Sequence, residues 1–100
     1  MAATAGKFQT IHPQAGKQGT NIDAAKYEVM KAALLTVVPA DDAGFPFQDL
    51  ADAVRPHLPT ELFANASVSW YVVTVKLDLE ARGLIERVPG SRPQRVRRVS

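Results

Sequence analysis

Val75-Lys76-Leu77-Asp78-Leu79-Glu80-Ala81-Arg82-Gly83-Leu84-Ile85-Glu86-Arg87-Val88 is the stretch that decides the fold. Val75 and Leu79 are spaced as one face of a helix. Gly83 stands just past the last apolar-periodic position, where a helix can end through a left-handed residue that glycine adopts without strain. Strand-forming residues follow at once. Pro89-Gly90 then marks a turn, and Gln94 to Val99 supplies a second short strand. A helix, a glycine stop and a hairpin with a basic tip, in that order, make the C-terminal half of a winged helix-turn-helix.

Working outward, the same helix is predicted from about Ser67 to Arg82, with Asn65 or Ser67 as its cap. At about 100° per residue, Val68, Tyr71, Val72, Val75 and Leu79 share one face, which is the core face. The opposite face carries Trp70, Val73, Thr74, Leu77 and Ala81 and is apolar too. A helix that is apolar on two sides is expected to be covered on two sides. Upstream, Pro56 to Ala66 is longer than the three or four residues of a simple helix-turn-helix. Pro59 could start one helical turn there that tucks Leu62 and Phe63 inward. Before it, a helix from about Phe47 to Arg55 points Phe47, Leu50, Ala51 and Val54 inward, and Pro56 is expected to end it. Phe45-Pro46 can add a short edge strand. The first helix is predicted from about Asp23 to Val38, capped by Asp23 or Thr20, with Tyr27, Met30, Leu34, Val37 and Val38 on one face and Pro39 as its stop.

The expected architecture is therefore α+β, mainly α: three main helices plus a C-terminal β-hairpin wing, with an extended N-terminal arm. Residues 1–22 form the arm and residues 23–100 the winged-helix domain. The arm shows neither helical nor strand period, and its first seven residues are expected to be disordered. Phe8, Ile11 and Ile22 are nevertheless large and apolar. If the arm covers the second face of the third helix, these three are buried and Trp70 is mostly inaccessible.

Composition narrows the function classes. One hundred residues suit one small domain. With no cysteine, disulfides and thiolate metal sites are excluded, which suits a cytoplasmic protein. The first residues lack the apolar run of a signal peptide, and no stretch approaches the ~20 apolar residues that span a bilayer. The net charge is only +2, but it is unevenly spread. Asp41, Asp42, Asp49, Asp52 and Glu61 face a single base, Arg55, between Pro39 and Ala66. Arg87, Arg92, Arg95, Arg97 and Arg98 meet no acid between Arg87 and Ser100. Such a basic stripe can be a footprint for phosphate. It can equally be the charge that keeps an edge strand from aggregating.

From Phe8 to Val99 the chain resembles a family of small, uncharacterised bacterial proteins with a winged-helix-like domain. The resemblance is carried by Ile11-His12-Pro13 with Gly16-Lys17, by Ile22-Asp23 with Lys26-Tyr27, and by Phe45-Pro46-Phe47. It continues through Trp70-Tyr71, Thr74-Val75-Lys76-Leu77-Asp78-Leu79-Glu80 and Gly83-Leu84-Ile85. It implies a fold and no activity, so there are no functional residues to carry over.

No catalytic constellation is visible, and no enzyme activity, metal or cofactor is expected. His12 and His57 lack companion ligands. Asp41-Asp42 reads as a loop rather than a carboxylate pair, and Ser67 and Ser69 as capping residues without a base. Gly16-Lys17-Gln18-Gly19-Thr20 lacks the spacing and preceding strand of a phosphate loop. Two functions remain. In the first, a transcription-regulator-like protein binds double-stranded DNA: Arg92, Arg95, Arg97 and Arg98 contact phosphate and the third helix, with Lys76, enters the major groove. In the second, Trp70, Val73 and Leu77 make a protein-interaction or dimerisation face. Fold analogy favours the first, and the composition of the third helix favours the second.

Overall fold

The computed structural model describes residues 6–99. Among them the chain is α+β, with three α-helices and two antiparallel sheets. The order is β1 (Lys7–Gln9), β2 (Asn21–Asp23), α1 (Ala24–Val37), β3 (Phe45–Pro46), α2 (Leu50–Val54), α3 (Val68–Ala81), β4 (Ile85–Arg87) and β5 (Arg95–Arg98). The core lies where α1, α2 and α3 meet the inner face of the C-terminal sheet. Tyr27, Met30, Leu34, Leu50, Val54, Val75, Leu79, Ile85 and Val96 are all buried there.

Local chemistry sets the helix ends. The Asp23 carboxylate accepts from the Lys26 amide at 3.0 Å and opens α1. Ser67 Oγ accepts from the Trp70 amide at 3.1 Å and opens α3. At the far end of α3, Gly83 takes φ 78°. There the Gly83 amide donates to the Glu80 carbonyl at 3.1 Å and the Leu84 amide to the Leu79 carbonyl at 2.9 Å. This pair of bonds closes the last turn and leads straight into β4.

The second helix differs from its expectation. A 3₁₀ turn, Phe47–Asp49, precedes α2 and another, Arg55–His57, follows it. Pro56 does not stop the helical path, because in the first turn of that 3₁₀ segment its missing N–H is not needed. The stop is Leu58, forced into extended backbone (φ −107°, ψ 132°) by Pro59. The turn after Pro59 buries Phe63 and half-buries Leu62.

The C-terminal sheet has the order β3-β5-β4, so β5 is central although it comes after both partners in the chain. Its register places Phe45 and Arg87 opposite Val96, and Glu86 opposite Arg97. The turn between β4 and β5 is closed by the Ser91 amide on the Val88 carbonyl, with Gly90 at φ 73°.

The N-terminal residues depart most from expectation. Residues 1–5, most of the stretch expected to be disordered, lie outside the described residues. Lys7 already belongs to a strand, and β1 pairs with β2 with Phe8 opposite Ile22. The hairpin is tied across its loop by Thr10 and Thr20, whose backbone and hydroxyl groups bond reciprocally at 2.7–2.9 Å. Gly19 packs flat on this tie, since a Cβ there would lie 2.0 Å from the Thr10 carbonyl oxygen. Ile22 is buried, Phe8 is half-buried, and Ile11 stays 41% exposed. Trp70, which full cover by the arm would have hidden, is 45% exposed.

Candidate functional site

The outer face of α3 is divided along its length. Its second half lies beside the N-terminal hairpin, where Thr74 and Leu77 line a small recess with Thr10, Ile11, His12 and Gly19. Its first half is open, and Trp70 and Val73 are exposed. The second apolar face is thus covered in part, because the hairpin reaches α3 only from Thr74 onward.

The hairpin is held by a buried carboxylate. Asp78 has no exposed surface. Its Oδ1 accepts from the Ile11 amide at 2.9 Å. Its Oδ2 accepts from the Tyr27 hydroxyl at 2.5 Å and from Arg82 Nε at 2.8 Å. Phe8 stacks on Tyr27 at 3.9 Å between centroids, and the Arg82 guanidinium lies 5.0 Å from the Phe8 ring centre. One carboxylate therefore joins the hairpin, α1 and α3. Burial, reinforced by the hydrogen bond to Asp78 and its charge, raises the Tyr27 pKa well above the usual tyrosine range. Only Arg82, four residues on, is a local partner of Asp78; Tyr27 and Ile11 lie 51 and 67 residues away and leave no local pattern.

Of the residues expected at a DNA interface, Arg92 and Arg98 are exposed, whereas Lys76, Arg95 and Arg97 are engaged within the fold. Lys76 is buried, 2.9 Å from Glu80 and over the Phe47 ring at 5.0 Å, so it cannot meet a phosphate. Arg95 donates to the Ala43 carbonyl at 2.6 Å and the Gly44 carbonyl at 3.3 Å. Arg97 pairs with Glu86 at 2.6 Å and Asp42 at 3.3 Å. Arg98 donates from Nε to the Val38 carbonyl at 2.8 Å. These three arginines fasten the hairpin and the loop after α1. Arg92 is exposed, as is Arg87 of the same basic stripe. Neither has an ion-pair partner among the described residues.

Of the expected partner-contact residues, Trp70 and Val73 are exposed on the first half of α3, whereas Leu77 lines the recess beside the N-terminal hairpin. Beside Trp70 opens a cleft of about 500 Å³ lined by Lys26, Glu61, Leu62, Asn65, Ser67 and Tyr71. Two rings, Tyr71 and Trp70, line it, and Phe63 lies buried behind them. Phe63 meets Tyr71 edge-on at 5.5 Å, and Tyr71 meets Trp70 edge-on at 5.0 Å. Among the described residues no group of His, Cys, Asp or Glu could hold a metal ion. No helix among them is long and apolar enough to cross a membrane.

No curated protein and no solved structure matches the chain. Residues 7–96 match the family of unknown function DUF6958, and the chain belongs to that family.

Proposed function

We propose that this chain is a winged-helix-like domain whose third helix is a protein-contact surface rather than a DNA-reading one. The winged-helix part is supported by the order of three helices and by the sheet order β3-β5-β4, with β3 between α1 and α2. The single observation that carries the functional part is the chemistry left exposed on α3. Trp70 and Val73 face solvent, whereas the lysine on that helix is buried against Glu80. Base readout rests on long polar side chains such as Arg, Asn and Gln. The exposed half of α3 has none of these. Large aromatics left exposed on a rigid helix are the usual anchors of protein contacts.

A second reading keeps some support from Arg87 and Arg92, both exposed near the hairpin turn. Two such cations, with the outer nitrogens of Arg98, would give weak, sequence-blind binding to a duplex. Its slope of log affinity against log salt would be about −2 to −3.

Titration of random and varied duplexes against salt separates the two. The contact reading expects no sequence preference and no change on Trp70→Ala or Val73→Ala. Sequence-selective duplex binding that either substitution abolishes would overturn it in favour of DNA readout by α3.

A further inference from the structure

We infer that the cleft beside Trp70 is a docking site for a proline-rich segment in the polyproline II conformation. This rests on the reading of α3 as a protein-contact face and names the class of partner. Three observations point to it.

The first is ring geometry. Tyr71 and Trp70 stand at 81° to one another, with centroids 5.0 Å apart. An edge-to-face pair in contact makes a continuous aromatic wall on that side of the cleft. A pyrrolidine ring packs on such a wall, and aromatic-lined grooves are how proline-rich segments are bound. Phe63, buried and edge-on to Tyr71, packs behind it.

The second is the set of free donors. A polyproline II strand has no internal hydrogen bonds and presents its carbonyl oxygens to the surroundings. It therefore needs donors from its receptor. Trp70, Tyr71 and Asn65 all line the cleft, and each carries a side-chain donor: an indole N–H, a hydroxyl and a carboxamide. No hydrogen bond among the described residues engages any of the three side chains.

The third is charge. Glu61 lies exposed on the cleft wall and has no ion-pair partner among the described residues. Lys26, the cation across the cleft, is drawn toward Asp23 at 3.7 Å. The net demand is for a basic residue flanking the prolines.

The test uses the whole chain and its only tryptophan, Trp70, as the reporter. The probes are two blocked ten-residue peptides, one of prolines alone and one of nine prolines ending in arginine. A glycine-serine peptide of equal length is the control. Expected is a saturable change in Trp70 emission with half-saturation below about 1 mM, an affinity of roughly 4 kcal/mol. Backbone and indole resonances of Asn65, Trp70 and Tyr71 should move with it. Asn65→Ala should weaken both proline peptides several-fold without changing the circular dichroism. Glu61→Gln should weaken only the arginine-bearing one. No saturable change up to about 5 mM, or equal response to the control peptide, would overturn the proposal. So would a protein partner whose binding needs Val73 and Leu77 but neither Asn65 nor Trp70, a result that leaves the contact reading of α3 intact.

Discussion

The two hairpins of this molecule are fastened by opposite chemistry. The N-terminal hairpin is fastened at one point, a fully buried carboxylate that collects the Ile11 amide, the Tyr27 hydroxyl and Arg82. The C-terminal hairpin is fastened at many points, by partly exposed guanidinium groups reaching the carbonyls of Val38, Ala43 and Gly44 and the carboxylates of Asp42 and Glu86. A buried ion is costly to desolvate and is stable only with a full set of partners. A partly exposed one can fall back on water. The first arrangement is therefore close to all-or-none, and the second is graded.

Removing the anion is the strongest way to break that contrast. Asp78→Ala leaves the Tyr27 hydroxyl and the Ile11 amide without their acceptor and frees Arg82. A loss of about 3–5 kcal/mol is expected, the scale for breaking a buried pair on one side. Urea unfolding measures it, and a loss below about 1 kcal/mol would show that the hairpin is held by packing alone.

A smaller effect is expected at Tyr27, and pH sharpens it. Tyr27→Phe should cost about 2 kcal/mol near neutrality, the worth of a hydrogen bond to a charged acceptor. The folded-state pKa of Tyr27 is raised, so the native state keeps its proton after the unfolded state has lost it. Its contribution is whole below the unfolded value of about 10 and declines as pH rises past it. The stability gap between wild type and Tyr27→Phe should narrow from about pH 10 upward. A gap that stays constant to about pH 11.5 contradicts the Tyr27–Asp78 bond.

The arginines come last. Arg95→Ala should cost about 1 kcal/mol, since two carbonyls lose a donor at a half-exposed site. Arg97→Ala should cost roughly 0.5 kcal/mol, because Asp42 and Glu86 remain hydrated when it leaves. Added salt of about 0.5 M should reproduce the loss for Arg97 but not for Arg95, whose partners are carbonyls. Thermal unfolding of both variants at two salt concentrations checks this.

Much of the frame could be read from the residues themselves. Asp23 and Ser67 do cap helices, Gly83 does stop α3, and Pro89-Gly90 does turn the chain. Each is a local rule with its parts within four residues. The misreadings share one physical cause. Periodicity places charges outside and apolar groups inside, so it puts Lys76 in water, gives no hint that Asp78 is buried, and leaves Trp70 either beneath the arm or on an open contact face. Asp78 and Lys76 are buried because partners from other elements or the same helix satisfy them, and Trp70 is left open because the hairpin stops short of it. The N-terminal strands were invisible for a different reason. Each has three residues and one large apolar side chain, too little for a period of two to register. The candidate site was legible only as residues: the sequence named Trp70, Val73 and Leu77, while the cleft needed Glu61 and Asn65 to be brought alongside.

The separation between Ile11 and Asp78 also has a temporal meaning. The two are 67 residues apart, and ribosomes add about 5–20 residues each second, so the amide is made about 3–13 s before its acceptor. Through that interval the nascent hairpin has no seat on α3, and Phe8 and Ile22 have no finished core to enter. The C-terminal sheet waits likewise, since β3 and β4 meet only through β5. Both ends of the domain thus depend on chain made late, and the growing polypeptide carries unburied aromatic and β-branched groups until then. Slowing translation between β2 and α3 should therefore raise aggregation rather than relieve it.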